Sequence, residues 1–492
     1  MSSPTLGTKH RMRFFLILLA VILFCNCGTA VAQEEQPNPD PAGLDQTIDG
    51  LFKPIADTWG GIVFFTVPVP VAGPLPFVLV LLVAGAAFFT IAFGFINLRL
   101  IPMAIAVVSG KYDEIEKEGQ DLPTAVEVNE VDGDLVDTIR DEGEGEVSHF
   151  QALATAVSGT VGLGNIAGVA VAVATGGPGA TFWMIVCGFL GMSTKFVECT
   201  LGVKYRDIDS NGTVHGGPMY YLRKGLAEMG MGPLGKVLGV LFAIFCVGGS
   251  FGGGNAFQSN QAAQQIKSLL GLPDGGSSGT LIGLVMAVLV GIVIIGGIKR
   301  IAKVTERIVP FMAFVYFAAA LVIIVINFAN VPWAIEQIVS GAFTPAAGLG
   351  GLIGVMIQGF QRAAFSNEAG AGSAAIAHSA VKTKYPASEG IVALLEPFID
   401  TVVICTMTAL VIVLFNADGA FAWGDVQSKE VLIDGARIGG VDLTSAAFDS
   451  VLPGFRYVLT IAIILFAFST MISWSYYGLQ SWKYLFGRSL GR

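Results

Sequence analysis

The chain has 492 residues, 53% of them hydrophobic and only 13% charged, with 63 glycines. Soluble domains carry about 25% charged residues, so this composition excludes a water-soluble globular protein and predicts a polytopic, all-α membrane protein. The net charge of −9 is concentrated: fourteen acidic residues between Asp113 and Glu146 face only Lys117 and Arg140, which leaves the rest of the chain at +3.

Residues 1–32 read as a secretory signal, with Lys9, Arg11 and Arg13 before the apolar Phe14–Phe24 and an Ala30-Val31-Ala32 cleavage site; an uncleaved anchor helix is the alternative. Residues 33–76 are expected to be an extracytoplasmic lead-in, in which Pro68, Pro70, Pro74 and Pro76 prevent a clean span. Apolar runs then predict nine spans, near 77–97, 150–175, 180–202, 237–262, 280–298, 308–328, 349–377, 389–415 and 454–478. Residues 98–149 form a loop carrying the acidic insert, which reads as solvated and weakly ordered. With the mature N-terminus outside, predicted inside loops hold fourteen Lys and Arg and outside loops three, in accord with the positive-inside rule. The expected location is therefore an inner membrane, multi-pass. Five spans from 150 to 328 precede the second set, 349–488, so an odd number of spans inverts the second half relative to the first. Cys187, Cys199, Cys246 and Cys405 are scattered without CxxC spacing and the four histidines are unpaired, which argues against a disulfide frame or a zinc site.

Two of the spans are interrupted. Ser158-Gly159-Thr160-Val161-Gly162-Leu163-Gly164-Asn165 puts three glycines and an asparagine at mid-membrane, where an unpaired backbone group in hydrocarbon costs several kcal/mol. Such a break is tolerable where it faces protein, water or a ligand. Phe365-Ser366-Asn367-Glu368-Ala369-Gly370-Ala371-Gly372-Ser373 interrupts the span near 349–377 in the same way. Paired interruptions in two halves point to a transporter's binding site. At the first break the following half-helix presents N–H groups and a positive dipole end to a carboxylate. Opposing carbonyls, Asn165, Ser158 and Thr160 offer hard oxygens suited to an alkali cation. Gly164 and Gly168, spaced as GxxxG, support helix packing as the alternative.

Glu368 is an ionisable residue at membrane depth. It could meet a substrate ammonium, cap a half-helix or pair with Arg362. Ser366, Asn367 and Ser373 are better placed as neutral ligands. Gln258 and Asn255 follow the cluster Gly248–Gly254; their amides suit either a carboxylate or an interhelical hydrogen bond. Ser469 and Thr470 suit a cation site or bonds to their own helix. Asp400, at i+4 from Glu396 on one helix face, is a candidate coupling-ion ligand. Phe360, Phe365 and Trp474 could cap a small substrate. No nucleophile–base constellation lies near either break, so an intramembrane enzyme is not expected.

The strings Gly159-Thr-Val-Gly-Leu-Gly-Asn-Ile-Ala-Gly-Val-Ala170, Gly176-Gly-Pro-Gly-Ala-Thr-Phe-Trp-Met184, Gly216-Gly-Pro-Met-Tyr-Tyr221, Gly296-Gly-Ile-Lys-Arg-Ile-Ala-Lys303, Phe365-Ser-Asn-Glu-Ala-Gly370 and Trp474-Ser-Tyr-Tyr-Gly478 strongly resemble the alanine or glycine:cation symporter family, the amino acid carrier proteins. The resemblance covers roughly residues 77–488. It implies a leucine-transporter-like inverted repeat with two discontinuous helices and one extra leading helix, coupling by Na+ or H+, alanine or glycine as substrate, and no organic cofactor. It also implies a substrate site at Thr160, Gly164, Gln258 and Ser366 through Ser373, that is Ser366, Asn367, Glu368, Ala369, Gly370, Ala371, Gly372 and Ser373. One sodium site is implied at Ser158, Val161, Phe466, Ser469 and Thr470, through the carbonyls of the first three. Asn165 with the carbonyl of Thr160 is implied in another. The chain departs from the family in a longer acidic insert. The family also continues past Trp474–Gly478, so the expected second repeat lacks its last two spans. A passive amino-acid channel or a non-transporting membrane amino-acid-binding protein is the alternative function. Membrane lipid is the expected surrounding, nucleic acid is not an expected partner, and oligomeric state is not specified.

Overall fold

In the computed structural model the described residues are Gly50, 53–54, 57–58, 60–69, 73–113, 115, 128–131, 134–137, 145–273, 277–343, 352–424 and 429–487. The expected signal sequence, much of the lead-in and most of the acidic insert lie outside them.

Helices occupy each of the nine expected spans, and further helices lie outside them, including a short one, Ile101–Val108, in the expected 98–149 loop; the labelled helices combine both kinds. They are α1 (Phe77–Ala92), the bent pair α2 (His149–Thr160) and α3 (Gly164–Gly176), α4 (Gly179–Lys204), α5 (Pro218–Glu228), α6 (Gly232–Leu270), α7 (Ser278–Ile294), α8 (Gly297–Ile326), α9 (Val331–Phe343), α10 (Leu352–Asn367), α11 (Ala374–His378), α12 (Pro386–Phe415), α13 (Gly440–Val451) and α14 (Phe455–Phe486). Among the described residues five helices are long and apolar enough to cross a membrane, and six if the bent pair counts as one. The protein is therefore a multi-pass, all-α membrane protein. Large apolar side chains such as Leu281, Ile295, Phe311 and Phe314 on α7, α8 and the turn between them are exposed, as lipid-facing surfaces require.

Local chemistry sets the helix ends. A capping box starts α2: the Ser148 hydroxyl accepts from Gln151 N–H and the Gln151 side chain accepts from Ser148 N–H, each at 3.2 Å. Pro386 sits in the first turn of α12, where its missing N–H is not needed.

Two helices organise the packing. α4 touches α1, α3, α9, α10, α11 and α12, whereas α14 packs on α2, α6, α7 and α8. The broken pairs α2–α3 and α10–α11 lie between these two sets. Between α2–α3 and α10 come α4, α6, α7 and α8, with the shorter α5 and α9. The segment after α12, read from sequence only as an outside loop, folds into an antiparallel hairpin, Glu430–Ile433 with Ala436–Gly439, and α13. α13 covers the start of α3, and Thr444 Oγ1 donates to the Ile166 carbonyl at 3.0 Å.

Candidate functional site

The first break is open where the glycines predict it. α2 ends at Thr160, and α3 departs at 49° through a π-helical turn at Gly164–Gly168. Side chains take the place of the lost helical hydrogen bonds. Gly162 N–H donates to Asn165 Oδ1 at 2.9 Å, and Leu163 N–H donates to Gln258 Oε1 at 3.1 Å. Gln258 Nε2 donates to Gly253 O at 3.1 Å, beside a second π-helical turn, Gly252–Ala256 in α6. Gln258 thus holds the first break through Leu163 and its own helix through Gly253, and Asn255 bonds its own helix through Ser250 O at 2.5 Å. Gly162 has no room for a side chain: a Cβ would run into Thr470 Oγ1 and lie 3.1 Å from Gln258 Oε1.

Of the five residues that the resemblance implies for one sodium site, four are linked by hydrogen bonds across α2 and α14, and the fifth, Val161, follows α2 at the break. Thr470 Oγ1 donates to Ser158 O at 3.0 Å, and Ser158 Oγ donates to Ser469 O at 2.6 Å. Ser469 Oγ donates to Phe466 O at 3.0 Å. Ser473 adds bonds to Thr155 O and Ser158 Oγ, both at 3.0 Å. Ser158, Val161, Phe466, Ser469 and Thr470 are all buried. The donor set is hydroxyls and carbonyls only, which fits an alkali cation. Thr160 Oγ1 bonds its own helix, to Ala156 O at 3.3 Å and Val157 O at 3.4 Å.

The second break follows α10. Glu368 takes a left-handed φ of 54°, and Gly370 and Gly372 follow at 92° and 83°. An L side chain at Gly370 would be strained. Gly370 N–H is held by Glu198 Oε1 of α4 at 2.6 Å. Glu368 does not pair with Arg362, contrary to one of the expectations for it. Its reversed backbone turns it away from α10, so that Ser373 Oγ donates to Oε2 and Trp474 Nε1 donates to Oε1 at 3.0 Å. Arg362 instead lies over the Phe365 ring at 5.0 Å and against Gly168. Trp474 is thereby tied to the break. Phe365 stands between the breaks, near the positions that side chains on Gly164 and Gly253 would take, at 3.7 and 3.8 Å. Phe360 does not cap them; it packs edge-on against Trp183 at 5.7 Å.

The breaks are joined through α12, whose stretch Phe398–Cys405 is π-helical. Asn165 Nδ2 donates to Asp400 Oδ1 at 2.7 Å, to Asp400 O at 3.1 Å and to Cys405 Sγ at 3.3 Å. Thr401 Oγ1 donates to Asp400 Oδ2 at 2.7 Å, and Asn367 Nδ2 donates to Thr401 Oγ1 at 2.9 Å. Ser366 Oγ sits 3.4 Å from Cys405 Sγ, and Asn367 Oδ1 accepts from Ala369 N–H at 3.0 Å. Asp400 is fully buried, with no salt bridge to a basic side chain among the described residues. Ala371 N–H continues the turn to Glu368 O at 3.0 Å.

Sequence reasoning missed Lys195 and Glu198 on α4 and Cys405 on α12. The first two are ionisable residues in mid-span, the signal by which Glu368 and Asp400 were singled out. Lys195 pairs with Glu396 at 3.1 Å, both side chains fully buried. No group of three or more His, Cys, Asp or Glu arranged to hold a metal occurs among the described residues.

The profile of the sodium:alanine symporter family matches residues 70–492. The chain is 41% identical over 413 residues to the sodium/alanine symporter AgcS of Methanococcus maripaludis, covering 84% of this chain and 81% of that protein. It is 38% identical over 350 residues to the putative sodium/proton-dependent alanine carrier protein YrbD of Bacillus subtilis, covering 70% of this chain and 68% of that protein. Among solved structures, MhsT in complex with L-phenylalanine aligns with a TM-score of 0.45 and 15% identity, covering 69% of this chain and 73% of that one.

Proposed function

The chain belongs to the sodium:alanine symporter family, and from that premise we propose that it couples Na+ entry to uptake of alanine or glycine. The protein is a sodium-coupled amino-acid symporter, not an enzyme; the choice of a small neutral amino acid is this reading's own. It rests above all on the buried network that runs from Asn165 through Asp400 and Thr401 to Asn367, which joins the two unwound segments in one polar core.

In this reading the substrate carboxylate lies at the open end of α3, where dipole and N–H groups favour an anion. Thr160, Gly164, Gln258 and Ser366–Ser373 surround it. Glycines face Phe365 across the breaks, leaving room for a small side chain only. One sodium ion takes the carbonyls of Ser158, Val161 and Phe466 with the hydroxyls of Ser469 and Thr470. A second takes Asn165, the Thr160 carbonyl and Asp400, whose charge is otherwise met by neutral donors. The mature N-terminus is extracytoplasmic, and the starts of α2, α6, α8 and α12 are cytoplasmic. The units are the extra leading helix 77–97, the first repeat 150–328 and the second repeat 349–488. Transport proceeds by alternate exposure of the core to the two faces.

Labelled alanine uptake into proteoliposomes under an imposed Na+ gradient tests this. Accumulation above equilibrium that collapses without the gradient is the expected result; uptake that stops at equilibrium would establish the channel, and binding without flux the non-transporting protein. The double substitution Ser469→Ala, Thr470→Ala removes two of five ligands and is expected to raise the sodium concentration for half-maximal uptake by at least about tenfold, as losing about 1.4 kcal/mol requires. An unchanged sodium dependence removes that site.

A further inference from the structure

Beneath the second break, buried ionisable groups run toward the cytoplasmic end of α2. Glu389 on α12 receives an imidazole nitrogen on each carboxylate oxygen: His149 Nδ1 at Oε2, and His378 Nδ1 at Oε1, 2.5 Å away. The other ring nitrogen of His378, Nε2, faces Glu396 Oε2 at 3.7 Å. Glu396 Oε1 then takes Lys195. His378, Glu389, Glu396 and Lys195 are fully buried and His149 nearly so.

His378 Nδ1 is at hydrogen-bond distance from Glu389, whereas Nε2 faces Glu396 across an ion-pair distance too long for a hydrogen bond. A ring flanked by two carboxylates is matched to both only when both its nitrogens carry protons. A neutral ring would direct a lone pair at one of them, an arrangement that burial penalises. We infer that His149, Glu389 and His378 form a proton-binding latch: the proton held by His378 closes the cytoplasmic end of α2 against α11 and α12, and departs to the cytoplasm when α2 separates. This deepens the transport reading, on which the cytoplasmic placement rests.

Other titratable groups surround the latch. On the approach to α2, Glu146 has its carboxyl pushed up by burial and accepts from Val214 N–H at 2.9 Å. From α4 come Lys195 and Glu198. Arg206 follows α4, donates to the carbonyls of Ser379, Val381 and Thr383, and lies in the field of Glu389. From α8, Glu306 accepts from Gln151 Nε2 at 2.8 Å. Lys299, His215 and Lys483 lie in the field of Glu146, and His215 Nε2 stands 3.5 Å from Asp209 Oδ2. Backbone bonds also tie the start of α2 to the end of α11, from Glu146 N–H and Val147 N–H to Ala380 O and from Lys382 N–H to Val147 O. These do not titrate, so a pH dependence of opening isolates the side chains.

By linkage, a closed state that requires one more proton loses stability as pH rises, by up to about tenfold in its equilibrium per pH unit. The effect falls in the range where histidine titrates, near pH 6.5 and above. Hydrogen exchange of the α2 amides, in the full chain in lipid nanodiscs and corrected for intrinsic rates, reads this directly. Protection is expected to fall up to about tenfold per unit on raising the pH through that range. It should become low and pH-independent in His378→Asn and in Glu389→Gln, and keep its slope in Glu146→Gln. Flat protection in the unmodified protein, or an unchanged slope in a folded His378→Asn variant, overturns the latch. A slope lost in Glu146→Gln alone also overturns it. Sodium-dependent alanine binding on the same samples stands apart: its absence sinks the transport reading while the slope still decides the proton site.

Discussion

Replacing Gly162 by alanine is expected to weaken sodium-driven amino-acid accumulation sharply, by raising the sodium it requires, while leaving the protein folded. The new methyl group would displace Thr470 Oγ1, which holds the Ser158 carbonyl, and press on Gln258 Oε1, which holds Leu163 N–H. Each buried group left without its partner costs about 1–3 kcal/mol, and the effect falls on the break itself. Half-saturation by sodium should therefore move upward by roughly tenfold to a thousandfold. The thermal midpoint in detergent should move far less, because Gly162 lies in the break and the helices on either side keep their own residues and packing. Normal sodium dependence in Gly162→Ala would mean that this pinch point plays no part in ion binding.

A comparable loss, in stability this time, is expected for Lys195→Met. Lys195 and Glu396 are paired at 3.1 Å with no solvent access to either side chain. Removing one partner of a buried pair costs about 3–5 kcal/mol, because the other charge stays behind. The double variant Lys195→Met, Glu396→Gln should recover a large part of that loss. Thermal unfolding of the three variants against the unmodified chain provides the comparison. If the single variant unfolds with the unmodified protein, or the double variant falls by the sum of the two single losses, the pair is not the fixed ionic tie described.

Both breaks were legible in the sequence because glycine and polar residues at mid-span contradict what a lipid-embedded helix needs. The spans were legible for the complementary reason, their length and uninterrupted apolarity. The partners of the opened backbone were not. Glu368 and Arg362 are six residues apart, and only the left-handed backbone at Glu368 reveals that the two side chains leave in different directions. Phe360 carries the same hydrophobic signature as Phe365, yet packs on Trp183, since which face of α10 meets the break depends on where α4 lies. Glu198 reaches Gly370 N–H from a helix with no interruption of its own; its only mark in the sequence is charge at membrane depth, and Lys195 carries the same mark.

The underwound stretch of α12 has a mechanical corollary. Glu396 and Asp400 would stand on one side of a regular α-helix at i and i+4. Through Phe398–Cys405 the turn is wider, and the two carboxylates serve separate destinations, Glu396 the lysine of α4 and Asp400 the asparagine of the first break. Rewinding that stretch to ordinary pitch would swing everything beyond it by about 100°, the angle one α-helical residue subtends. A crank of this kind would part Asp400 and the first break from Glu396 and Lys195 in a single motion, with no residue leaving its helix.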